Sequence, residues 1–493
     1  MSDLACAPLP AAARRMNHWG VIRAVASKEW KELSRDRRLV WLCAFVVVLM
    51  LAALAFGAAE NERLTRERAN AAAADRMLWT SQGAKDPHAA AHFGQYAFKP
   101  TSPLALADPG VDAYAGSAVW LEAHKQNEAQ FRAARDLGVG ARLGGLSLAF
   151  ILQIVAPLVV ILMGFASLSG ERESGTLKQL LGVGARPRDI LAGKALTLVG
   201  ASFALLVPAL AGAAAALALL TDARLSLADQ FLRLGALGFG YAVYLAGFAL
   251  LTLGVSALSK SSRAALVTLL AFWLVNSFIA PRVATDIARS LAPTPTAQEF
   301  RAAIAKDKAK TFGHDESHPA FAAFRDETLR KYGVARIEDL PVNFRGLSLR
   351  KDDENGYRIF DRHYGALQAA FDRQDALRAA PGFLFPLLAL RPFSMAFAGS
   401  DSWSQFDFAT AAEAHRREIQ NEVSDNLIHF GRYGDSTYVA GPDLWKRIGS
   451  FAYRAPGADF ALANSGGAVA GLAGWLALTA LFALFAAGRL RPL

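Results

Sequence analysis

The chain has 493 residues, of which 53% are hydrophobic and 19% charged, and it carries a formal net charge of +10. Ordinary soluble domains contain about 25% charged residues, so this composition argues against a water-soluble enzyme. The positive charge does not require a nucleic-acid partner, because the sequence contains no basic and aromatic motif of the kind that recognises nucleic acid. The composition therefore favours a membrane protein.

The apolar residues are concentrated in six runs that contain no Asp, Glu, Lys or Arg. Each run is about as long as the ~17–25 residues that a helix needs to cross a bilayer. The runs, numbered as spans 1 to 6, cover residues 39–59, 146–168, 195–220, 234–258, 264–280 and 466–487. We therefore predict an all-α membrane protein with six transmembrane helices.

The segment before span 1 contains a predicted amphipathic helix within the N-terminal region 1–38. Its apolar side chains lie on one helical stripe, and most of its basic side chains lie off that stripe. The stripe includes Ile22, Val25, Trp30 and Leu33. A basic amphipathic helix of this kind lies in the headgroup plane of a membrane. The alternative is an ordinary cytoplasmic cap that precedes span 1.

Charge divides the segments between the spans into two sets. Residues 1–38, the links 169–194 and 259–263 and the C-terminal tail together contain 17 Lys and Arg but only seven Asp and Glu. The rest of the chain contains equal numbers of basic and acidic side chains. Short loops rich in Lys and Arg stay cytoplasmic, so we predict that both termini are cytoplasmic in a bacterial inner membrane. This basic side is also expected to contact anionic lipid.

Two long segments, residues 60–145 and 281–465, lie on the opposite side of the predicted membrane. Residues 60–79 are rich in Ala, Arg and Glu, which favour helix. Parts of the second segment have apolar residues three and four positions apart, as amphipathic helices do. The two segments are long enough for a domain of ordinary size, and we predict a large α-rich extracytoplasmic domain.

The link after span 2, residues 169–194, is more elaborate than a turn between two helices needs to be. It begins with charged residues, continues as a short amphipathic run, and is interrupted by Gly and Pro before span 3. This pattern predicts a short helix that projects from the membrane and contacts a cytoplasmic partner.

The sequence E-R-E-S-G-T-L-K-Q-L-L in this link, followed by R-P-R-D-I-L-A-G-K, resembles the signature of ABC-2 type transporter permeases. In that family an N-terminal amphipathic helix, called the elbow helix, occurs together with six spans and this link, and the present chain resembles it in all three. The long external segments resemble those of the subgroup with an enlarged extracytoplasmic domain. The resemblance implies a half-transporter, an exporter, that pairs with a second permease, identical or homologous. It also implies a partner dimer of ABC ATPase subunits.

In that family the link forms coupling helices that sit in a groove of the ATPase. The resemblance therefore implies ATPase contacts for Glu171, Arg172, Glu173, Gly175, Thr176 and Leu177. The charged side chains would pair across a polar rim, while Leu177 would fill a shallow pocket. The alternative role of Glu171 and Glu173 is to favour a helix N-terminus through the helix dipole.

ATP hydrolysis by this chain itself is not expected. A phosphate-binding loop needs G-x-x-x-x-G-K-[ST]. The nearest candidate, Gly193-Lys194-Ala195, lacks a hydroxyl residue after the lysine, and Arg188 stands where the first glycine should be. We therefore expect no cofactor in this chain, with ATP and Mg²⁺ bound by the partner ATPase. A receptor, mechanotransmission or assembly subunit that transports nothing is the main alternative function, and a membrane-embedded hydrolase is a second.

Eight of the nine histidines fall in the two long external segments. His88 and His92 are four residues apart, as are His314 and His318, a spacing that can place two imidazoles on one helix face. Because a proline adjoins each pair and no cysteine is available, we predict solvated loop histidines and no metal site.

Gln153 and Asn276 are polar exceptions within the apolar spans. Polar side chains at such positions tend to face a bundle interior or a cavity, so these two are candidates for lining a translocation pathway. The alternative is hydrogen bonding between helices.

Overall fold

The computed structural model describes residues 17–136, 145–220 and 225–490. The first part of the predicted N-terminal region and the end of the C-terminal tail lie outside the described residues. Among the described residues, six helices are long and apolar enough to cross a membrane, which confirms the predicted number of spans.

The helices of the six spans are longer than the apolar runs. In chain order they are Arg37–Thr80, Leu148–Glu173, Pro187–Leu220, Leu227–Leu258, Ser262–Leu291 and Gly466–Gly488. The helix of span 1 continues to Thr80 because residues 60–79 are good helix formers. Spans 2 and 5 each contain one π-helical turn, at Ile151–Val155 and Val275–Ile279.

An elbow helix, His18–Arg35, precedes span 1 as predicted. The side chain of Asn17 caps its N-terminus by accepting a hydrogen bond from the backbone of Trp19. Asp36 ends the elbow helix and also begins span 1, because its side chain accepts from the backbone N–H groups of Arg38 and Leu39. One residue therefore sets the corner between the two helices.

The long helices that follow span 5, together with the chain between spans 1 and 2, form a helical domain. Its longer helices are Ala297–Lys308, Pro319–Tyr332, Phe344–Ala379, Leu387–Ala398 and Ser402–Phe430. Its shorter helices are Pro87–Phe93, Asp112–Ala115, Ala133–Asp136, Pro442–Arg447 and Ala458–Asn464. Local caps set their ends: Thr296 and Glu299 form a capping box at the first long helix.

A small antiparallel sheet lies within this helical domain. Its strands are β1 (Gln95–Phe98), β2 (Ala118–Glu122) and β3 (Lys125–Gln126), in the order β1-β2-β3. Leu121 pairs with Gln95 of β1 and with Gln126 of β3. The sequence predicted only helix in this region, because strands this short do not produce a clear apolar alternation.

Two large clusters of buried apolar side chains stabilise the described part of the chain, one among the spans and one in the domain. The first lies among the spans and includes Leu390 and Phe397 of helix Leu387–Ala398, which packs on spans 4 and 6. That helix has 12 residues, too few to cross a bilayer. The second cluster lies in the domain and includes Trp79, at the far end of the span 1 helix.

Candidate functional site

Four charged side chains meet where the elbow helix, the link and span 3 converge. The Nζ atom of Lys194 lies 2.5 Å from Glu29 Oε1 and 3.1 Å from Glu171 Oε1. Lys28 Nζ lies 2.7 Å from the same oxygen of Glu171. The side chain of Lys194 is 1% exposed, so these charges pair inside the chain. We call the four residues the elbow-link cluster.

The elbow-link cluster changes the acidity of Lys28. Burial by itself would lower the pKa of Lys28, because desolvation penalises the charged ammonium group. The hydrogen bond and charge of Glu171, with the further attraction of Glu29 and Glu32, outweigh this penalty and raise the pKa above its usual value. Lys28 therefore stays charged at physiological pH.

Arg172 and Glu173 hold the link against the turn between spans 4 and 5. The guanidinium group of Arg172 donates to the backbone carbonyl of Ala257 at 2.6 Å and also to that of Ser259. The carboxylate of Glu173 accepts from the backbone N–H of Ser262 at 2.9 Å and from its hydroxyl at 2.7 Å. Both side chains thus satisfy backbone groups at helix ends.

The next signature residues form the turn into a short link helix, Thr176–Gly182. Gly175 has φ 78°, a left-handed conformation that favours glycine, and it allows the chain to turn sharply there. The hydroxyl of Thr176 donates to the carbonyl of Glu171 at 3.3 Å. Leu177 is 1% exposed and belongs to the apolar core of the spans. In this structure the side chain of Leu177 fills the core of its own chain, and its predicted contact with an ATPase pocket stays a prediction.

The accessible part of the link lies further along and just beyond the link helix. Of its exposed residues, we group Lys178, Gln179, Val183 and Arg186 and call them the link face. Val183 is 66% exposed. Three of these four residues belong to the signature, but a motif does not indicate which of its side chains point outward.

The predicted elbow stripe divides between the interior and the surface. Val25 is buried against span 3 at Gly193, where an added Cβ would lie 2.7 Å from Val25 Cβ. Ile22 and Leu33 are partly buried, whereas the side chain of Trp30 is exposed. Trp30 and Leu33 line an apolar groove between the elbow helix and spans 1 and 3. The helix thus binds span 3 on one side and presents apolar surface on another.

A buried polar network contains both Gln153 and Asn276. Gln153 Nε2 donates to the hydroxyl of Tyr241 at 3.1 Å, and the hydroxyl of Tyr244 donates to the carbonyl of Gln153 at 2.8 Å. Asn276 Oδ1 accepts from the backbone N–H of Leu387 at 3.2 Å. These contacts join spans 2, 4 and 5 to helix Leu387–Ala398. They favour hydrogen bonding between helices over pathway lining for both residues.

The network continues from the spans into the domain. The hydroxyls of Tyr241 and Ser394 lie 2.9 Å apart, and Ser394 donates to Asp108 Oδ2 at 2.5 Å. Burial raises the pKa of Asp108 above its usual value, although the hydrogen bond from Ser394 acts against this. The sequence did not indicate this connection, because Asp108 and Ser394 are 286 residues apart.

The structure regroups the histidines that the sequence paired by spacing. The Nε2 atoms of His88 and His92 lie 3.2 Å apart, so this pair does share one helix face. His318 instead caps helix Pro319–Tyr332, where its Nδ1 accepts from the backbone of Ala320. His314 lies beside His124, with 3.2 Å between their Nε2 atoms. Spacing could not have identified His124, since it has no histidine neighbour in the sequence.

The elbow helix, the six spans and the helical domain define a multi-pass membrane protein whose link is fixed to the elbow helix and to span 3. The family described as ABC-2 family transporter protein matches residues 23–323, more than half of the chain, and the chain belongs to this family. Residues 297–454 match a domain of unknown function, DUF3526, so the permease carries an additional domain. No curated protein matches the chain.

Membership of this family makes the chain a membrane component of a transporter, a class that is generally not itself catalytic. ABC-2 permeases normally work with an ATPase partner.

Proposed function

We propose that this chain is the permease subunit of an ATP-driven exporter and that a separate ATPase dimer binds its link face. One observation carries the proposal: the elbow-link cluster fixes the link to the elbow helix and to span 3, while the link face remains exposed. A force applied to the link face therefore passes directly into the spans. ATP and Mg²⁺ bind to the ATPase in this proposal.

The chemistry of the link face suits a partner groove with an acidic rim. Lys178 and Arg186 are basic and exposed, and Val183 offers a central apolar contact. Apolar anchors surrounded by charged rims are common at protein interfaces, where the anchor supplies affinity and the charges supply orientation and rate.

Charge and geometry together support cytoplasmic termini in a bacterial inner membrane. The elbow helix, the link and the turn between spans 4 and 5 lie at one end of the spans, joined by Glu171 and Glu173. These segments carry the excess of Lys and Arg, and basic short loops stay in the cytoplasm. The domain lies at the opposite end in this proposal and is extracytoplasmic.

In this proposal a second permease packs on the exposed apolar surface of span 5. Only 28% of the most apolar stretch of span 5 is buried, compared with 67% in spans 2 and 4. Large apolar side chains of span 5, including Phe278, Val283 and Ile287, are exposed. A surface of this kind contacts lipid or another apolar helix.

A force-transmitting role without transport is the second candidate function. The helix of span 1 runs unbroken from Arg37 to Thr80 and enters the domain. At its far end the indole N–H of Trp79 donates to the backbone carbonyl of Trp445 at 3.0 Å. Movement of the spans would therefore move the domain, which favours an alternative in which the domain acts on a protein partner.

Charge reversal on the link face tests the docking proposal. We expect Lys178→Glu with Arg186→Glu to weaken association with the ATPase at least about tenfold, because like charges then face each other across the interface. The melting temperature should stay unchanged, since both side chains are exposed and lie outside the elbow-link cluster. Co-purification and ATPase activity of the complex in detergent measure the effect.

The matched control is Arg330→Glu with Lys331→Glu, which reverses two exposed basic residues of the domain. This control should leave ATPase association intact. If the link-face variant binds the ATPase as well as the control does, the link face is not the docking surface.

Cysteine labelling tests the proposed orientation. In a background with Cys6→Ser and Cys43→Ala, a membrane-impermeant thiol reagent applied to spheroplasts should label Ser317→Cys and not Val183→Cys. Both positions are exposed, so the membrane alone should distinguish them. After permeabilisation both should react, and equal labelling in intact spheroplasts would refute the proposed orientation.

A further inference from the structure

We propose that His88, His92, His124 and His314 form a binding site for a divalent first-row transition-metal ion of the Zn²⁺ or Cu²⁺ type. One ring nitrogen from each of these histidines lies within 4.8 Å of the corresponding nitrogens of the other three. We call the group the four-histidine site. It lies in the domain, is distinct from the link face and the elbow-link cluster, and does not depend on the proposed transport function.

The nitrogen spacing matches that of ligands around one ion. The two closest Nε2 pairs, His88 with His92 and His124 with His314, are each 3.2 Å apart. Tetrahedral zinc with Zn–N bonds of about 2.0–2.1 Å separates neighbouring nitrogens by about 3.3 Å. Each pair therefore already has the spacing of two ligands, and small side-chain rotations would bring the two pairs onto a common ion.

The two pairs also face each other. The ring centroid of His88 lies 5.1 Å from that of His124 and 5.3 Å from that of His314. The ring centroid of His92 lies 5.3 Å from that of His124. All four imidazoles thus converge on one region. Two unrelated histidine pairs would have no reason to lie so close together.

The surroundings of His124 resemble those of a metal-ligating imidazole. The residue occupies the turn between β2 and β3 with φ 60°, and its carbonyl accepts from Lys308 Nζ at 2.8 Å. Its Nδ1 lies 3.1 Å from Asp353 Oδ1 and 3.5 Å from Asp352 Oδ2. Metal-ligating histidines almost always direct their other ring nitrogen to a carboxylate, a carbonyl or water. The carboxylates therefore leave Nε2 of His124 for the ion.

The other ligands come from segments that the fold holds in place. His88 and His92 lie on helix Pro87–Phe93, whose N-terminus is capped by Asp86. The second oxygen of Asp86 pairs with Arg345 of helix Phe344–Ala379 at 3.0 Å. His314 lies between helices Ala297–Lys308 and Pro319–Tyr332. A bound ion would thus connect three segments distant in the sequence beside one long helix.

The donor set indicates which ions fit. Imidazole nitrogens suit Zn²⁺, Cu²⁺, Ni²⁺ and Fe²⁺, whereas Mg²⁺ and Ca²⁺ prefer oxygen ligands. The neutral imidazole is the form of histidine that binds a metal.

Metal titration of the full-length protein tests the site, after removal of any affinity tag. We expect the metal-free chain to bind one Zn²⁺ in competition with a chromophoric chelator and one Cu²⁺ whose paramagnetic resonance spectrum shows nitrogen ligands. His92→Gln with His314→Gln should weaken Zn²⁺ binding at least about 100-fold. Both side chains are exposed, so without metal the variant should melt at the same temperature as the parent.

The control is His429→Gln, which replaces an exposed histidine outside the site and should leave metal binding unchanged. Zn²⁺ should raise the melting temperature of the parent and the control but not of the double variant, since a ligand that binds the folded state stabilises it. Substoichiometric binding would mean that the four histidines form two imidazole–imidazole hydrogen bonds and no metal site. That result would overturn the proposal. Binding that survives the double substitution would also overturn it.

Discussion

Lys194→Ala should lower the free energy of unfolding by about 3–5 kcal/mol, the usual cost of removing one partner of a buried ion pair. The substitution leaves the carboxylates of Glu29 and Glu171 close together with only Lys28 to compensate them. It also leaves a space where a side chain with 1% exposure was packed. The loss should appear as a lower melting temperature of the purified protein in detergent.

Two comparisons separate this effect from the loss of a lysine in general. Lys178→Ala removes an exposed lysine from the link face and should change the unfolding free energy by less than about 0.5 kcal/mol. Adding Glu29→Gln and Glu171→Gln to Lys194→Ala removes the unpaired charges and should restore part of the stability. A destabilisation below about 1 kcal/mol for Lys194→Ala would contradict a tightly paired cluster.

Trp79→Ala should destabilise the connection between span 1 and the domain by about 3–5 kcal/mol, as large-to-small substitutions of buried tryptophans do. The ring of Trp79 is fully buried and meets Trp445 edge-to-face, with 5.9 Å between centroids. Its indole N–H also donates to the carbonyl of Trp445. The substitution removes the packing and the hydrogen bond together.

Hydrogen–deuterium exchange localises this second effect. Backbone amides of helix Pro442–Arg447 should lose protection in Trp79→Ala, while those of spans 2 and 4 should not change. Trp41→Ala is the matched control on the same helix, because Trp41 is 75% exposed and should cost little. Unchanged protection of residues 442–447 would mean that Trp79 does not fasten span 1 to the domain.

Because of the elbow-link cluster, charge reversal at Glu171 would not be a clean test of contact with the ATPase. Glu171→Lys would place a third positive charge beside Lys28 and Lys194, so the folded chain itself would be destabilised. A loss of ATPase binding in such a variant would not identify a contact with the ATPase. Substitutions on the link face avoid this difficulty, because those residues are exposed.

The sequence by itself determined the features that depend on local composition and length. Six charge-free runs long enough to cross a bilayer determined the number of spans, because no partner segment is needed to satisfy the backbone of a helix in lipid. The elbow helix followed from periodicity, and the link motif identified the family. The helical conformation of residues 60–79 followed from strong helix formers, whereas their continuity with span 1 was seen only in the structure.

Only the tertiary structure decided which side chains meet. Lys194 and Glu29 are 165 residues apart, and His124 and His314 are 190 apart, so no local spacing relates them. The sequence also could not predict the direction in which Leu177 points, because an amphipathic helix can place its apolar face against its own chain or against a partner. Such contacts depend on how the whole chain packs. The periodicity and composition of a single segment do not indicate them.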